Sequence, residues 1–376
     1  MSAQPCIHLW CSGIEETGGI QHYSQCAALA LAELFPNHSL TIFSKNDTQQ
    51  DRVWRDRIRL RGFGSRTWPF VGAGLRAAVA ERPRLILSTH PHFMKALWPL
   101  ILIGTPCLSV AHGIETWGHL SGGLGSALRK ATGVLPVSQF TADCLKKEGQ
   151  LQEARLRVVP NTFREEAFET GTRSPSLMLR YGVKPDQPIL LTVGRLATTE
   201  QYKGQDQVIQ AMPAILAEMP DLRYLIGGRG DDESRLRKLA KEKGVEKEVI
   251  FAGFIPESEL ADHYRLADLY VMPSTGEGFG IVYLESLACG RPCLVGNLDA
   301  SPEAIDGGRL GLVVNPRDPQ AIAEAILRFF RRQHDQPWLH EPETLRREVV
   351  RLFGKEAFKQ HLSLALKELL PSVTRA

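Results

Sequence analysis

From one end of the chain to the other, short apolar runs alternate with stretches of helical periodicity, and this pattern restricts the fold more than any other feature. Parallel strands need a crossover between them, usually a helix, so such a chain reads as parallel sheets covered by helices. One series of runs lies at 7–10, 40–43, 85–88, 107–110, 133–137 and 157–159, with helices at 20–34 and 140–147 among them. A second series lies at 189–193, 223–226, 249–252, 269–272, 292–295 and 311–314, with helices near 205–218, 233–243, 280–288 and 319–332. Between the series, the polar stretch 165–187 carries Gly171, Thr172, Ser174 and Pro175 and reads as a hinge. The expected fold is α/β with two Rossmann-like, doubly wound domains, over 1–170 and 171–353, whose sheets present their carboxyl ends to one cleft.

At 376 residues the chain can bury two cores of ordinary size. Its 43% hydrophobic and 23% charged residues exclude bulk disorder. A net charge of +3 is too small to imply a dedicated nucleic-acid protein. Seven cysteines, with no CxxC pair and no histidine at finger spacing, read as reduced thiols in a cytosolic setting. The N-terminus lacks a basic region followed by a long apolar run, so it reads as a first strand rather than a signal peptide. The apolar run 96–110 is broken by Pro99, Gly104 and Pro106 before it reaches the length of a membrane span.

Four motifs fall at strand ends, where ligands of such sheets bind. The strongest is STGEGFGIVYLE, Ser274 to Glu285, directly after the apolar run 269–272. Glu277 precedes Gly278, Phe279, Gly280 and Ile281, a glycine turn whose amides enter a helix N-terminus, and Glu285 lies about two turns along the same helix face. Two carboxylates so placed suit a polyhydroxylated ligand; the alternative is a capped helix with two solvated acids. The second motif is Gly194, Arg195 and Leu196 with Lys203 and Gly204 beyond, where two cations beside a helix N-terminus would make a diphosphate site. Surface cations in a loop are the alternative. The third is Thr17, Gly18, Gly19 and Ile20, a glycine turn into a helix, with a simple tight turn as the other reading. The fourth is His112, after the run 107–110, which could bond a ligand hydroxyl or be structural.

Together these residues resemble the retaining nucleotide-sugar glycosyltransferases of family four, whose GT-B fold has two Rossmann-like domains. The likeness spans the chain and is most specific from Val193 to Pro316; Gly18, Gly19, His112, Val137, Ser138, Val159 and Asn161 fit more loosely. The resemblance implies that Arg195 and Lys203 hold the donor diphosphate, that Glu277 bonds the sugar hydroxyls and that Glu285 bonds the ribose. It further implies that Phe279 and Gly280 amides touch the sugar, that Gly19 approaches the phosphates, and that His112 sits near the reacting carbon. Neither metal nor cofactor is implied, and the acidic pair Asp231 and Asp232 begins a helix after Gly228, Arg229 and Gly230. The implied activity is retaining transfer of a hexose from a UDP- or GDP-sugar to a glycan or lipid-linked acceptor, in bacterial polysaccharide or cell-envelope assembly. In that fold the last helix, 354–370 here, commonly packs back on the first domain. Two departures stand out: Thr162 follows Asn161 where the family often has Gly, and Arg229 stands where an acidic residue is usual.

A noncatalytic sugar-nucleotide sensor and another GT-B enzyme, such as a sugar-nucleotide epimerase, remain the rival readings. The run from Asp51 to Arg66 holds six arginines, with Trp54 inside it and Trp68 just beyond. It suits either a solvated edge strand or peripheral attachment to an anionic membrane at its inner face.

Overall fold

The computed structural model describes residues 4–16, 18–55 and 57–371; Thr17 of the glycine turn and Asp56 of the arginine run lie outside the described residues. Two compact units emerge: Met1–Thr162 together with Lys355–Ala376, and Phe163–Gly354.

The first unit is built on strands β1 (Cys6–Cys11), β2 (Ser39–Ser44), β3 (Gln50–Arg55), β4 (Ile58–Gly62), β5 (Leu85–Ser88), β6 (Cys107–Ala111) and β7 (Gly133–Pro136). Their order is β3-β4-β2-β1-β5-β6-β7, parallel throughout except that β3 runs antiparallel to β4. Strands β1, β5, β6 and β7 are buried at every position, as expected of parallel strands covered by helices on both faces. The run 157–159 is not a strand. Arg157 and Val159 donate to carbonyls of β7, but only an isolated bridge forms, at Leu156.

At the core of this unit, Trp10 packs against Phe70 and Phe43 with ring centroids 4.9 and 5.9 Å apart. Helix Thr67–Glu81 can approach that indole only because position 74 is glycine: a Cβ there would lie 2.2 Å from a Trp10 ring carbon.

The second unit holds β8 (Ile189–Val193), β9 (Arg223–Gly227), β10 (Val249–Gly253), β11 (Leu269–Met272), β12 (Cys293–Gly296) and β13 (Gly311–Val314), all parallel, in the order β10-β9-β8-β11-β12-β13. The chain leaves β8 toward β9 on one side and returns to β11 on the other, so the topological switch lies between β8 and β11, and a crevice opens at their carboxyl ends. In the first sheet the equivalent point lies between β1 and β5.

The units part at Thr162, earlier than the polar hinge suggests, because Phe163 and Phe168 are buried in the second unit. Phe168 stacks edge-on against Tyr264 at 5.8 Å, and its carbonyl accepts from Arg346. The polar stretch 165–187 itself contains the helix Pro175–Tyr181. The helical pattern of 346–370 is interrupted at Gly354, where ψ is 174°, giving helices Pro342–Phe353 and Lys355–Leu369. The latter belongs to the first unit and packs on helix Gly19–Leu34, with the Phe358 and Tyr23 rings 5.3 Å apart and Lys359 bonded to Glu33 at 2.7 Å. Among the described residues, no helix is long and apolar enough to cross a membrane.

Gly74 sets two effects against each other, since alanine favours a helix by about 1 kcal/mol while overpacking a full core costs about 1–3 kcal/mol. With the contact at 2.2 Å against an aromatic ring that has no room to move, the clash wins. Gly74→Ala is expected to lower the urea midpoint; an unchanged or raised midpoint would show that the indole can yield.

Candidate functional site

At the carboxyl end of β8 the chain makes a tight path through Gly194, Arg195 and Leu196, then a 3-10 turn, Thr198–Lys203. Gly194 donates to the Gly227 carbonyl and Leu196 to that of Arg229, which locks this loop to the loop after β9. Glycine is required on the facing side, because a Cβ at Gly228 would lie 1.8 Å from the Gly194 carbonyl oxygen.

The Arg195 and Lys203 side chains converge on one acid, Glu200, which is 7% exposed. Lys203 Nζ lies 2.7 Å from one carboxylate oxygen, and the Arg195 guanidinium pairs with the other. The two cations differ in setting: the Lys203 side chain is 13% exposed and that of Arg195 is 79% exposed. A Cβ on Gly194 would come within 3.1 Å of the Lys203 ammonium, so the lysine lies directly over the strand end. Three charges, two positive and one negative, leave a local surplus of positive charge beside the N-terminus of helix Gln205–Glu218, a setting that attracts phosphate.

The loop after β11 meets this one. Thr275 donates to the Tyr202 carbonyl, Gly276 leaves room for the Tyr202 ring, and Gly204 approaches the Pro273 carbonyl oxygen, to which a Cβ would come within 2.4 Å. Glu277 follows, half-buried, with its amide donating to Asp299 Oδ2 at 2.7 Å and its carbonyl accepting from Ala300. Asp299 also accepts from Ser301 N at 2.9 Å, so the loop after β12 fixes where Glu277 stands. Burial raises the Glu277 carboxyl to about 7, opposed by the nearby Lys203 ammonium and reinforced by Asp299 and Glu200.

Gly278 and Phe279 are buried, Phe279 edge-on to Phe353 at 5.4 Å. Gly280 turns the chain at φ 89° into helix Ile281–Ala288, and a Cβ there would strike the Tyr283 ring at 2.3 Å. Glu285, on that helix, accepts a 2.7 Å hydrogen bond from the hydroxyl of Tyr264, and burial raises its carboxyl too to about 7.

In the first unit, Gly18 and Gly19 open helix Gly19–Leu34, with φ 152° at Gly18. Tyr23 of that helix packs edge-on against His112 at 5.0 Å. His112 Nε2 donates to the Thr89 carbonyl at 3.0 Å, and its backbone amide donates to Glu115 at 2.6 Å. Burial lowers the imidazole's affinity for a proton, so the ring is neutral at pH 7 with Nδ1 as its acceptor. The glycine turn and His112 thus share the carboxyl edge of the first sheet, as the sequence leads one to expect.

Two groups of residues settle differently from their most suggestive reading. The arginine run forms the edge hairpin of β3 and β4, and most of its cations are engaged: Arg59 binds Asp51 in bidentate fashion at 2.6 and 2.7 Å, Arg52 pairs with Glu15, and Arg57 donates to the Pro36 and Ala32 carbonyls. Asp231 accepts from the backbone and hydroxyl of Thr198, both at 2.9 Å, while Asp232 binds Arg235 and Gln201. Sequence reasoning missed Glu200, Asp299 and Tyr264. Glu200, three residues before Lys203, was visible as an i,i+3 pair, whereas nothing in the spacing points to Asp299 or Tyr264.

A twice-built α/β chain with cations at one strand end and carboxylates at the next defines a nucleotide-sugar enzyme of the two-domain type. Comparison with known proteins agrees. The model for "Glycosyl transferases group 1" matches residues 177–341, and that for "Glycosyltransferase Family 4" matches residues 17–166. The chain belongs to the family-four glycosyltransferases of GT-B fold and is a glycosyltransferase that uses a nucleotide sugar.

It is 27% identical, over 82% of its length and 85% of the relative's, to a GDP-mannose-dependent alpha-(1-6)-phosphatidylinositol monomannoside mannosyltransferase of Mycolicibacterium smegmatis. Among solved structures, a sucrose-phosphate synthase from Thermosynechococcus elongatus superposes with a TM-score of 0.77 at 21% identity, covering 98% of this chain and 100% of that one. An Anabaena protein, HepE, solved in complex with UDP, gives a TM-score of 0.74 at 19% identity, covering 96% and 99%.

The raised carboxyls have a consequence for stability. A group that keeps its proton to about 7 in the folded chain, against an ordinary value of 4.5, makes the folded state the one that binds the proton. Its contribution to stability is therefore complete below about pH 4.5 and is lost as the pH rises toward 7. Glu285→Gln, which keeps an oxygen for Tyr264, is expected to make the fall in melting temperature between pH 5 and 7.5 shallower than in the parent protein. Parallel curves for the two would place the titration elsewhere.

Proposed function

We propose that this protein is a retaining, metal-independent hexosyltransferase, moving a sugar from a UDP- or GDP-sugar to a glycan or lipid-linked acceptor. The observation that carries the reading is the placement of Arg195 and Lys203, gathered by Glu200 at the end of β8, beside Glu277 at the end of β11. Family membership supports the reaction class, and the names of the relatives support both nucleotides: GDP for the mycobacterial mannosyltransferase and UDP for the Anabaena protein.

In this reading the donor diphosphate displaces Glu200 as the counter-ion of Arg195 and Lys203. The two cations then stabilise the charge that builds on the leaving group as the bond from C1 to the diphosphate oxygen breaks. Ionised Glu277 accepts hydrogen bonds from sugar hydroxyls, and Glu285, on the following helix, does so from the ribose. The acceptor hydroxyl attacks C1 from the face that the diphosphate leaves, forming the new C1–O bond and passing its proton to the departing phosphate oxygen, so the anomeric configuration is kept. Cations in the role of a metal, with Asp231 and Asp232 committed to Thr198, Gln201 and Arg235, support metal independence. In the first unit, His112 offers Nδ1 as an acceptor for a ligand hydroxyl.

The mycobacterial relative's name gives a lipid acceptor, phosphatidylinositol monomannoside, and this supports cell-envelope glycan assembly as the setting of this reading. The engaged arginines of the β3–β4 hairpin leave Trp68, 84% exposed, as the group there most suited to a lipid surface.

The test begins with thermal stabilisation by nucleoside diphosphates and their sugars, where a ligand at about a hundred times its dissociation constant adds roughly 2.7 kcal/mol. With the donor so chosen, Lys203→Ala and Glu277→Ala are each expected to cut turnover by about a hundred-fold or more while the fold is kept. Full activity in either folded variant would overturn the assignment, and turnover undiminished by a metal chelator is expected.

A further inference from the structure

The proposed donor site accounts for the ends of β8 and β11 but leaves two unusual side chains on the adjoining strand ends. Arg229, between Gly228 and Gly230 after β9, is exposed, and its guanidinium makes no ion pair or hydrogen bond among the described residues. The backbone beneath it is rigidly placed. Leu196 N donates to its carbonyl at 3.0 Å, Gly228 N donates to the Gly253 carbonyl at 2.7 Å, and a Cβ at Gly230 would lie 2.0 Å from the Leu196 carbonyl oxygen. The guanidinium therefore lies over Gly253, at the end of β10, where a Cβ would stand 3.6 Å from Arg229 Nε. Phe254 comes next, 65% exposed, although the neighbouring Phe251 is covered by Arg237 at 4.2 Å.

An exposed aromatic ring and an uncommitted guanidinium are each unremarkable alone; on adjacent strand ends, they offer one ligand both a stacking face and a two-pronged hydrogen-bond donor. Neighbouring strands lie about 4.8 Å apart, so the ends of β8 and β10 are separated by roughly 10 Å. That is a span a ribose can bridge between a diphosphate held at Arg195 and Lys203 and a base held at β10.

We infer that Arg229 and Phe254 form the nucleobase end of the site and select guanine, so that the donor is a GDP-sugar. This rests on the donor-site reading given above. Phe254 supplies a face for any base, while the arginine makes the choice, because a guanidinium only donates. Guanine offers it two adjacent acceptors, O6 and N7. Adenine places an amino donor where O6 would be, and uracil offers O4 beside a C–H, so neither fills the fork. A lysine could not substitute, being a point charge without the planar pair of donors.

The experiment is calorimetric titration of the full chain with GDP, UDP and ADP, for the parent protein and for Arg229→Met, Arg229→Lys and Phe254→Ala, with Lys203→Ala as a control. The side chains are on the surface, and cooperative melting verifies that each variant folds. The parent is expected to bind GDP about ten-fold or more tightly than UDP or ADP. Arg229→Met and Arg229→Lys are expected to bring the three within about three-fold of one another, and Phe254→Ala to weaken all three alike.

Equal affinities in the parent, with Lys203→Ala abolishing binding, would overturn this inference and leave the donor site standing. A guanine preference that survives Arg229→Met would overturn it too. No binding of any nucleotide by folded parent protein would overturn the donor-site reading itself, and this inference with it.

Discussion

One buried carboxylate, Glu200, decides where the cations at the end of β8 stand. Taking an acid out of water costs several kcal/mol unless a partner of opposite charge goes with it, so Glu200 draws Lys203 down onto the end of β8 and ties the more exposed Arg195 to the same point. Without it, two cations a few ångströms apart would repel each other outward. With it, the strand end carries both cations and a counter-ion that, in the proposed reading, a diphosphate replaces. Gly194 leaves the lysine room over the strand end, and Gly204 and Gly276 let the loops after β8 and β11 touch.

Close backbone contact is the recurrent device of this sheet edge. The loops after β8, β9 and β10 are joined amide to carbonyl, Gly194 to Gly227, Leu196 to Arg229 and Gly228 to Gly253. Side chains that project from such a clamped backbone are positioned at little further entropic cost, which suits groups that must meet a ligand in one geometry. Asp299 does the same for Glu277 from β12, by accepting its amide and that of Ser301. The carboxylates themselves are kept poorly solvated, and this is why burial raises both to about 7. A ligand rich in hydroxyls, which donates to ionised carboxylates, would release those protons on binding.

Much of this was legible in the order of residues. The alternation of apolar runs and helical patterns located every strand of the second sheet to within a residue or so, since parallel strands, above all the buried inner ones, are written as continuous apolar runs. The glycine-rich turn before helix Ile281–Ala288 was equally plain, because only glycine tolerates the φ of 89° at position 280. The hairpin of β3 and β4 was half visible: alternating arginines marked an edge, but not that Asp51 and Glu15 would hold them. The strand read at 157–159 is reduced to an isolated bridge at Leu156, and the segment ends at Pro160, which has no amide to donate.

The sequence by itself determined the fold class, the strand ends on which the polar groups fall, and the kinds of group available there, because periodicity and turn chemistry are local properties of a chain. Tertiary structure decided which groups became partners. Glu200 between two cations, Asp299 under the Glu277 amide, Tyr264 on Glu285 and Arg229 laid over Gly253 all depend on distances between segments far apart in sequence or on the depth of their burial. Where the units divide was settled in the same way. Phe163 and Phe168 are buried in the second unit, Phe168 against Tyr264 nearly a hundred residues on, and no pattern of neighbouring residues records that contact.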